Sequence, residues 1–165
     1  MTPVSETIER EVARLIAREA YCLDRKLWRE WLTLYAEDAE FWAPAWASEE
    51  ALTNDPGNEL SMIYIRGRAG LEDRVYRIEA RDSLATAPMD RTAHVVGSIL
   101  VHSAGEQIIA SASWITHIYG IHGVATLGGY SDYSLRRVAS ELRIAKKRVV
   151  LIDDRLEVPV DIYHL

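Results

Sequence analysis

Gln107-Ile108-Ile109-Ala110-Ser111-Ala112-Ser113-Trp114-Ile115-Thr116-His117-Ile118-Tyr119-Gly120 decides the fold class. The run is rich in β-branched and aromatic residues, holds no proline, and is bounded by Ser103-Ala104-Gly105-Glu106 on one side and Ile121-His122-Gly123 on the other. That is the pattern of a strand between two turns. Segments of the same kind run from Ala93 to His102, from Val124 to Val138 and from Leu142 to Ile152, with Ala139-Ser140-Glu141 between the last two. Long antiparallel hairpins are the natural reading. Strands longer than the usual five or six residues must twist and curl to cover a core, and Gly128-Gly129 offers a place for a bulge or bend.

The first half has a different period. Ile8, Val12, Leu15 and Ile16 recur at helical spacing, and Ser5 with Glu6 and Glu9 provides a cap and favourable first-turn charge. Asp24 is placed to cap a second helix whose apolar face comprises Leu27, Trp28, Trp31, Leu32 and Tyr35. Ala39-Glu40-Phe41-Trp42-Ala43 then turns to strand-like alternation ending at Pro44, and the polar stretch from Ser48 to Glu59, containing Asn54-Asp55-Pro56-Gly57, reads as a surface loop. Gly70 precedes a third helix with Leu71, Val75 and Ile78 on one stripe, and Pro88 interrupts the chain after it. Helices followed by a curled meander define an α+β class. Nothing marks a linker or repeat, so residues 1–165 are expected to form one domain.

Composition narrows the function. The chain has 165 residues and 48% hydrophobic content, enough to enclose one core and bury roughly 70% of the surface that the unfolded chain exposes. Its 25 acidic and 19 basic residues leave a net charge of -6 without a basic stripe, which argues against nucleic acid or an anionic membrane as a partner. No apolar run approaches a membrane span, and Met1-Thr2-Pro3-Val4-Ser5-Glu6 lacks the basic and apolar regions of a secretory leader. A cytoplasmic location is expected. The single cysteine, Cys22, allows no internal disulfide and reads as a small packed hydrophobe.

The terminal Lys146-Lys147-Arg148-Val149-Val150-Leu151-Ile152-Asp153-Asp154-Arg155-Leu156-Glu157-Val158-Pro159-Val160-Asp161-Ile162-Tyr163-His164-Leu165, taken with Gly70-Leu71-Glu72-Asp73-Arg74-Val75-Tyr76-Arg77-Ile78 and Arg91-Thr92-Ala93-His94-Val95-Val96, resembles the small (β) subunit of the aromatic-ring-hydroxylating dioxygenases. The resemblance extends to Leu34 through Pro44, the Asp55-Pro56 loop and Gly129-Tyr130-Ser131-Asp132. It implies a cystatin-like cone, as in scytalone dehydratase, ketosteroid isomerase and nuclear transport factor two, with helices packed into a strongly curved antiparallel or mixed sheet. It further implies a non-catalytic chain that trimerises within an α3β3 assembly. There the α subunit carries a Rieske [2Fe-2S] cluster and a mononuclear iron, and electrons arrive from NADH through a reductase or ferredoxin. No cofactor is expected on this chain.

The residues agree on one point directly: a Rieske cluster needs two thiolates, and one cysteine cannot supply them. His117 and His122, five residues apart, face opposite sides of a strand and make a poor metal pair, although His102 leaves a cross-strand site open. A rival reading keeps the fold but makes the chain a self-contained dehydratase or isomerase. Asp24, Tyr35, Asp38 and His94 would project into a pocket, with Asp24 and His94 as acid and base. Each also has a structural explanation: a helix cap, an apolar helix face, a polar turn and a strand anchor. A third reading is a small-ligand carrier lined by Trp28, Trp31, Trp42, Trp46 and Trp114. The subunit reading makes Trp46, Arg148, Tyr163 and His164 the interface candidates. The basic run Arg143, Lys146, Lys147 and Arg148 is expected mainly at the solvated surface, and the apolar tail from Val158 is expected to be ordered, as an edge strand or in a subunit contact.

Overall fold

The computed structural model describes residues 4–80 and 88–165. The reading of Met1-Thr2-Pro3 as part of a leaderless N-terminus lies outside them.

Helix α1 spans Glu6–Asp24 and starts where the sequence indicates: the Ser5 hydroxyl accepts from the Ile8 N–H at 3.4 Å. Its buried stripe is Val12, Leu15, Ile16, Glu19, Cys22 and Leu23. Cys22 is fully buried, and burial raises its thiol pKa, so it sits in the core as an unreactive packed side chain. Asp24 closes this helix instead of capping the next. Helix α2, Trp28–Thr33, starts from Leu27 with no side-chain cap, and Tyr35 opens strand β1, Tyr35–Pro44. Strand β2, Ser61–Arg66, follows a loop containing an isolated bridge between Trp46 and Leu52. Helix α3, Arg68–Glu79, buries Leu71, Val75 and Ile78 as the spacing predicts.

Four long strands follow: β3 Arg91–Ala104, β4 Ile108–Gly120, β5 Gly123–Val138 and β6 Glu141–Leu151. They pair as antiparallel hairpins, and β1 then joins β6 in parallel, giving the order β2-β1-β6-β5-β4-β3. The sheet is therefore mixed, with its parallel pair joining β6 to a strand about a hundred residues earlier and β2 forming the edge beyond it.

The register breaks lie away from Gly128-Gly129. The β4–β5 ladder runs without a shift through both glycines, whereas β3 shifts between Gly97 and Leu100, where Ser98 adopts φ 49°. Gly129 serves close approach instead of bending: a Cβ there would fall 1.8 Å from the Val150 carbonyl oxygen on β6.

The helices fill one face of the sheet. On β4 the inward residues Ile108, Ala110, Ala112, Trp114, Thr116 and Ile118 are all buried, and the outward ones alternate with them. The tail completes this core as neither an edge strand nor an exposed contact. Asp161 caps a short 3-10 turn, Ile162–His164, and Asp161 through Leu165 are all buried.

Candidate functional site

Two buried polar centres lie within the concave side of the sheet. The first grows from the α1 stripe. Glu19 stands at helical spacing from Val12, Leu15 and Ile16, so the helix carries its carboxylate into the core. Lys147 approaches from β6, on the same face as Val149 and Leu151, and its Nζ lies 3.0 Å from Glu19 Oε1. The Tyr35 hydroxyl donates to the same oxygen, and the Tyr133 hydroxyl donates to Oε2 at 3.2 Å. Burial raises the pKa of both tyrosines, and the neighbouring Glu19 charge adds to the effect, so both remain hydroxyl donors. A buried pair needs this degree of satisfaction to offset its desolvation cost. Lys147 is therefore not part of the solvated basic run, whereas Lys146 beside it is exposed and pairs with Glu40 at 2.9 Å.

The second centre joins the end of α1 to β3. Asp24 Oδ1 lies 2.5 Å from His94 Nδ1 and accepts from the Thr92 hydroxyl at 3.0 Å, while Oδ2 accepts from the His94 backbone N–H at 2.9 Å. Burial alone would raise the Asp24 pKa. The bonds from the His94 side chain and backbone outweigh it and hold the carboxyl below its usual range. Asp24 is thus an acceptor, and His94 Nδ1 carries the shared proton.

Of the four residues of the pocket-enzyme reading, the structure unites Asp24 and His94 only. Tyr35 belongs to the Glu19 centre, and Asp38 lies at the surface against Arg136, whose guanidinium holds its carboxyl low. The cavity between the two centres measures about 10 Å³ and is lined by Glu19, His94, Trp114, Tyr133, Lys147 and Leu165, among others. That is space for about one water and not for an aromatic substrate. An open surface groove of about 800 Å³ lies between α1 and the β5–β6 hairpin, lined by Arg14, Arg18, Tyr21, Arg137 and Arg143 among others.

The interface candidates divide. Tyr163 and His164 are fully buried within this chain. The His164 ring accepts at Nδ1 from the Asp161 N–H at 2.8 Å, which places its proton on Nε2, 2.9 Å from Asp90 Oδ2. Arg74 reaches Asp161 at 2.8 Å, and Tyr163 Oη accepts from the Asp90 N–H at 3.2 Å. Lys26 lies 4.1 Å from the Tyr163 ring centroid, and burial lowers its pKa to about 8. Tyr163 and His164 thus help lock the tail and present no surface to a partner. Trp46 and Arg148 are half-buried: the Trp46 indole donates to the Leu151 carbonyl at 2.7 Å, and Arg148 pairs with Asp132 at 3.3 Å. The indoles imagined as a carrier lining are mostly structural, since Trp28, Trp31, Trp42 and Trp114 are all buried.

His117 and His122 are exposed, His117 on the outer face of β4, and His102 bonds Ser111 at 2.8 Å. Among the described residues no group of three or more His, Cys, Asp or Glu converges on a possible metal position. No described helix is long and apolar enough to cross a membrane.

The outward positions differ in kind from this packed interior. Val95 faces Ile115 across β3 and β4, Tyr119 faces Val124 across β4 and β5, and all four are exposed, Val95 at 70%. Arg91 covers the Tyr119 ring at 5.0 Å. An apolar strip of this kind is a candidate contact surface.

Residues 18–158 match the family described as ring hydroxylating beta subunit. The chain belongs to that family. This β subunit is 38% identical to benzoate 1,2-dioxygenase subunit beta of Acinetobacter baylyi, over 99% of this chain and 98% of the relative. It is 37% identical to the small subunit of 2-halobenzoate 1,2-dioxygenase of Burkholderia cepacia, over 94% of each. The crystal structure of the benzoate 1,2-dioxygenase β subunit from Burkholderia mallei superposes with a TM-score of 0.77 at 34% identity, covering all of both chains. A cystatin-like protein from Nostoc punctiforme shares the fold at TM-score 0.62, 13% identity, and coverage of 94% and 98%. The β subunit is thus one component of an oxidoreductase complex, paired with an α subunit. The α+β cone and the aromatic-dioxygenase subunit role implied by the sequence resemblance both stand.

Glu19, Tyr133, Asp90 and Asp161 were not singled out from the sequence, and Lys147 was read there only as part of a solvated basic run. Signals existed for two of them: Glu19 continues the α1 stripe, and Lys147 has the parity of Val149 and Leu151.

Proposed function

We propose that this chain is the non-catalytic β subunit of a multicomponent dioxygenase acting on a carboxylated aromatic ring, and that it forms the trimeric platform of an α3β3 complex in the cytoplasm. The observation that carries the reading is the near-full-length similarity to small subunits of benzoate and 2-halobenzoate 1,2-dioxygenases, in a chain whose interior is packed. In this reading the Rieske cluster and mononuclear iron reside on the α subunit, which receives electrons from a reductase. Residues 1–165 act as one structural unit. The outward strip of Val95, Ile115, Tyr119 and Val124, together with Trp46 and Arg148, provides contact surface, and its apolar centre with a polar margin suits a subunit interface.

Co-expression with a benzoate-type α subunit, followed by light scattering and iron analysis, tests the proposal. The expected product is several times larger than 18.7 kDa, contains both chains, and loses its iron when α is removed. A metal-free monomer or homodimer that ignores α overturns it.

The meeting of Asp24 and His94 favours the pocket enzyme as a second reading, although the cavity beside them has no room for a substrate. Turnover that survives His94→Gln in an assembled, iron-loaded complex dismisses the second reading; turnover abolished there, with iron retained, upholds it.

A further inference from the structure

His94, Trp114 and Thr116 form one inward strip on β3 and β4: His94 pairs with Thr116 in register, and Trp114 lies two residues before Thr116 on the same face. Each carries a buried polar atom with no protein partner, namely His94 Nε2, Trp114 Nε1 and Thr116 Oγ1. The His94 side chain is 3% exposed, and Trp114 and Thr116 are buried too. Three such atoms together are uncommon, because each costs about 1–3 kcal/mol when left unsatisfied. His94 and Trp114 also line the same small cavity of about 10 Å³.

The chemistry of the walls restricts what fits. The charged side chains Glu19 and Lys147 neutralise each other at 3.0 Å, and Asp24 is committed to His94 and Thr92, so no charge remains to hold an ion. The Trp114 indole only donates. In the neutral tautomer that donates from Nδ1 to Asp24, His94 presents a lone pair at Nε2. The occupant must therefore accept from one wall, donate to the other, be neutral, and fit a volume of roughly 10–15 Å³, which is what one water needs.

We infer that this cavity is a binding site for a single internal water, accepting from Trp114 Nε1 and donating to His94 Nε2. The water extends the Asp24–His94 pair into a chain running from the end of α1 across β3 to the middle of β4. Through it the inner wall of the sheet is fixed to the helix by hydrogen bonds as well as by packing. The inference is independent of the subunit proposal, since it concerns this chain alone.

The test is a nuclear Overhauser experiment on the full-length ¹⁵N-labelled chain, reading transfer from water to the Trp114 indole N–H, identified by its loss in Trp114→Phe. A cross-peak with the sign of a long-lived bound water is expected, together with crystallographic density within hydrogen-bond reach of both Trp114 Nε1 and His94 Nε2. An indole N–H without that cross-peak, and a cavity without density, overturns the inference. If Trp114→Phe does not fold, the density in the unmodified chain decides alone. A failed α-subunit co-expression leaves this result unchanged.

Discussion

The two faces of the β3–β5 sheet obey opposite rules. The inner face holds charges only where every one is answered, as Glu19 is by Lys147, Tyr35 and Tyr133, and it leaves a hollow of about 10 Å³. The outer face spends apolar side chains where a lone domain has no use for them, with Val95, Ile115, Tyr119 and Val124 facing solvent. In a pocket enzyme the assignment would be reversed, with a spacious interior and a polar exterior. The difference teaches that the inner face is given over to packing, while the apolar side chains left over lie on the outer face, where the proposed subunit contact would use them.

The largest expected effect breaks the inner rule. Lys147→Ala leaves Glu19 buried without its counter-charge and should cost about 3–5 kcal/mol by chemical denaturation. The joint replacement Glu19→Leu with Lys147→Met should recover most of that loss. A Lys147→Ala chain as stable as the parent would mean that the pair is solvated.

Asp24→Asn comes next, at about 1–3 kcal/mol, through the loss of hydrogen bonds to a charged acceptor. Two acid limbs should accompany it in the parent chain. His164 has its pKa lowered, chiefly by burial, so the unfolded chain binds the extra proton first, and stability falls as pH drops below about 6.5. Asp24, held below 3.8, contributes stability that is present above that pH and is lost as pH falls through its folded value. Denaturation midpoints measured from pH 8 to pH 3 should show both limbs, with the upper one absent in His164→Gln and the lower one absent in Asp24→Asn.

A pair of glycines sharpens the comparison within one strand. Gly129→Ala forces a methyl toward the Val150 carbonyl and should destabilise by about 1–3 kcal/mol, whereas a Cβ at Gly128 meets its nearest atom at an ordinary 3.5 Å and should change stability by less than about 0.5 kcal/mol. Thermal denaturation of the two variants reads the difference.

The smallest effect on folding belongs to the outer face. Val95→Ser and Ile115→Ser should each shift stability by no more than about 0.5 kcal/mol, while together weakening assembly with α as measured by light scattering. Unchanged assembly would move the contact surface elsewhere, to the arginine-lined groove or to Trp46 and Arg148.

How far the sequence could be read follows from the same physics. Periodicity and caps are local, so α1 with its Ser5 cap, α3 and the four hairpin strands were legible. Strand β2, Ser61–Arg66, was missed because Ser61-Met62-Ile63-Tyr64-Ile65-Arg66 is short and follows a loop-rich stretch. Asp24 was misplaced as a cap for α2 because its true partners, Thr92 and His94, lie about seventy residues away. Lys147 looked like surface because a positive charge is buried only if an opposite charge meets it, and Glu19 lies 128 positions distant. Of the four pocket candidates, Asp24 and His94 meet in space, while Tyr35 and Asp38 lie apart from them, in places that only long-range closure decides. The family resemblance, resting on ordered motifs along the chain, carried what spacing could not.

The parallel seam between β1 and β6 also sets a timetable for synthesis. Tyr35 pairs with Ile144, and Trp42 with Arg148, so a ribosome must deliver more than a hundred further residues before β1 gains that neighbour. The final core side chains, Ile162, Tyr163 and Leu165, emerge later still. Such long sequence separations slow folding and prolong the exposure of unpaired strands. Until Ile162, Tyr163 and Leu165 emerge, a nascent chain of this design keeps part of its core open to solvent.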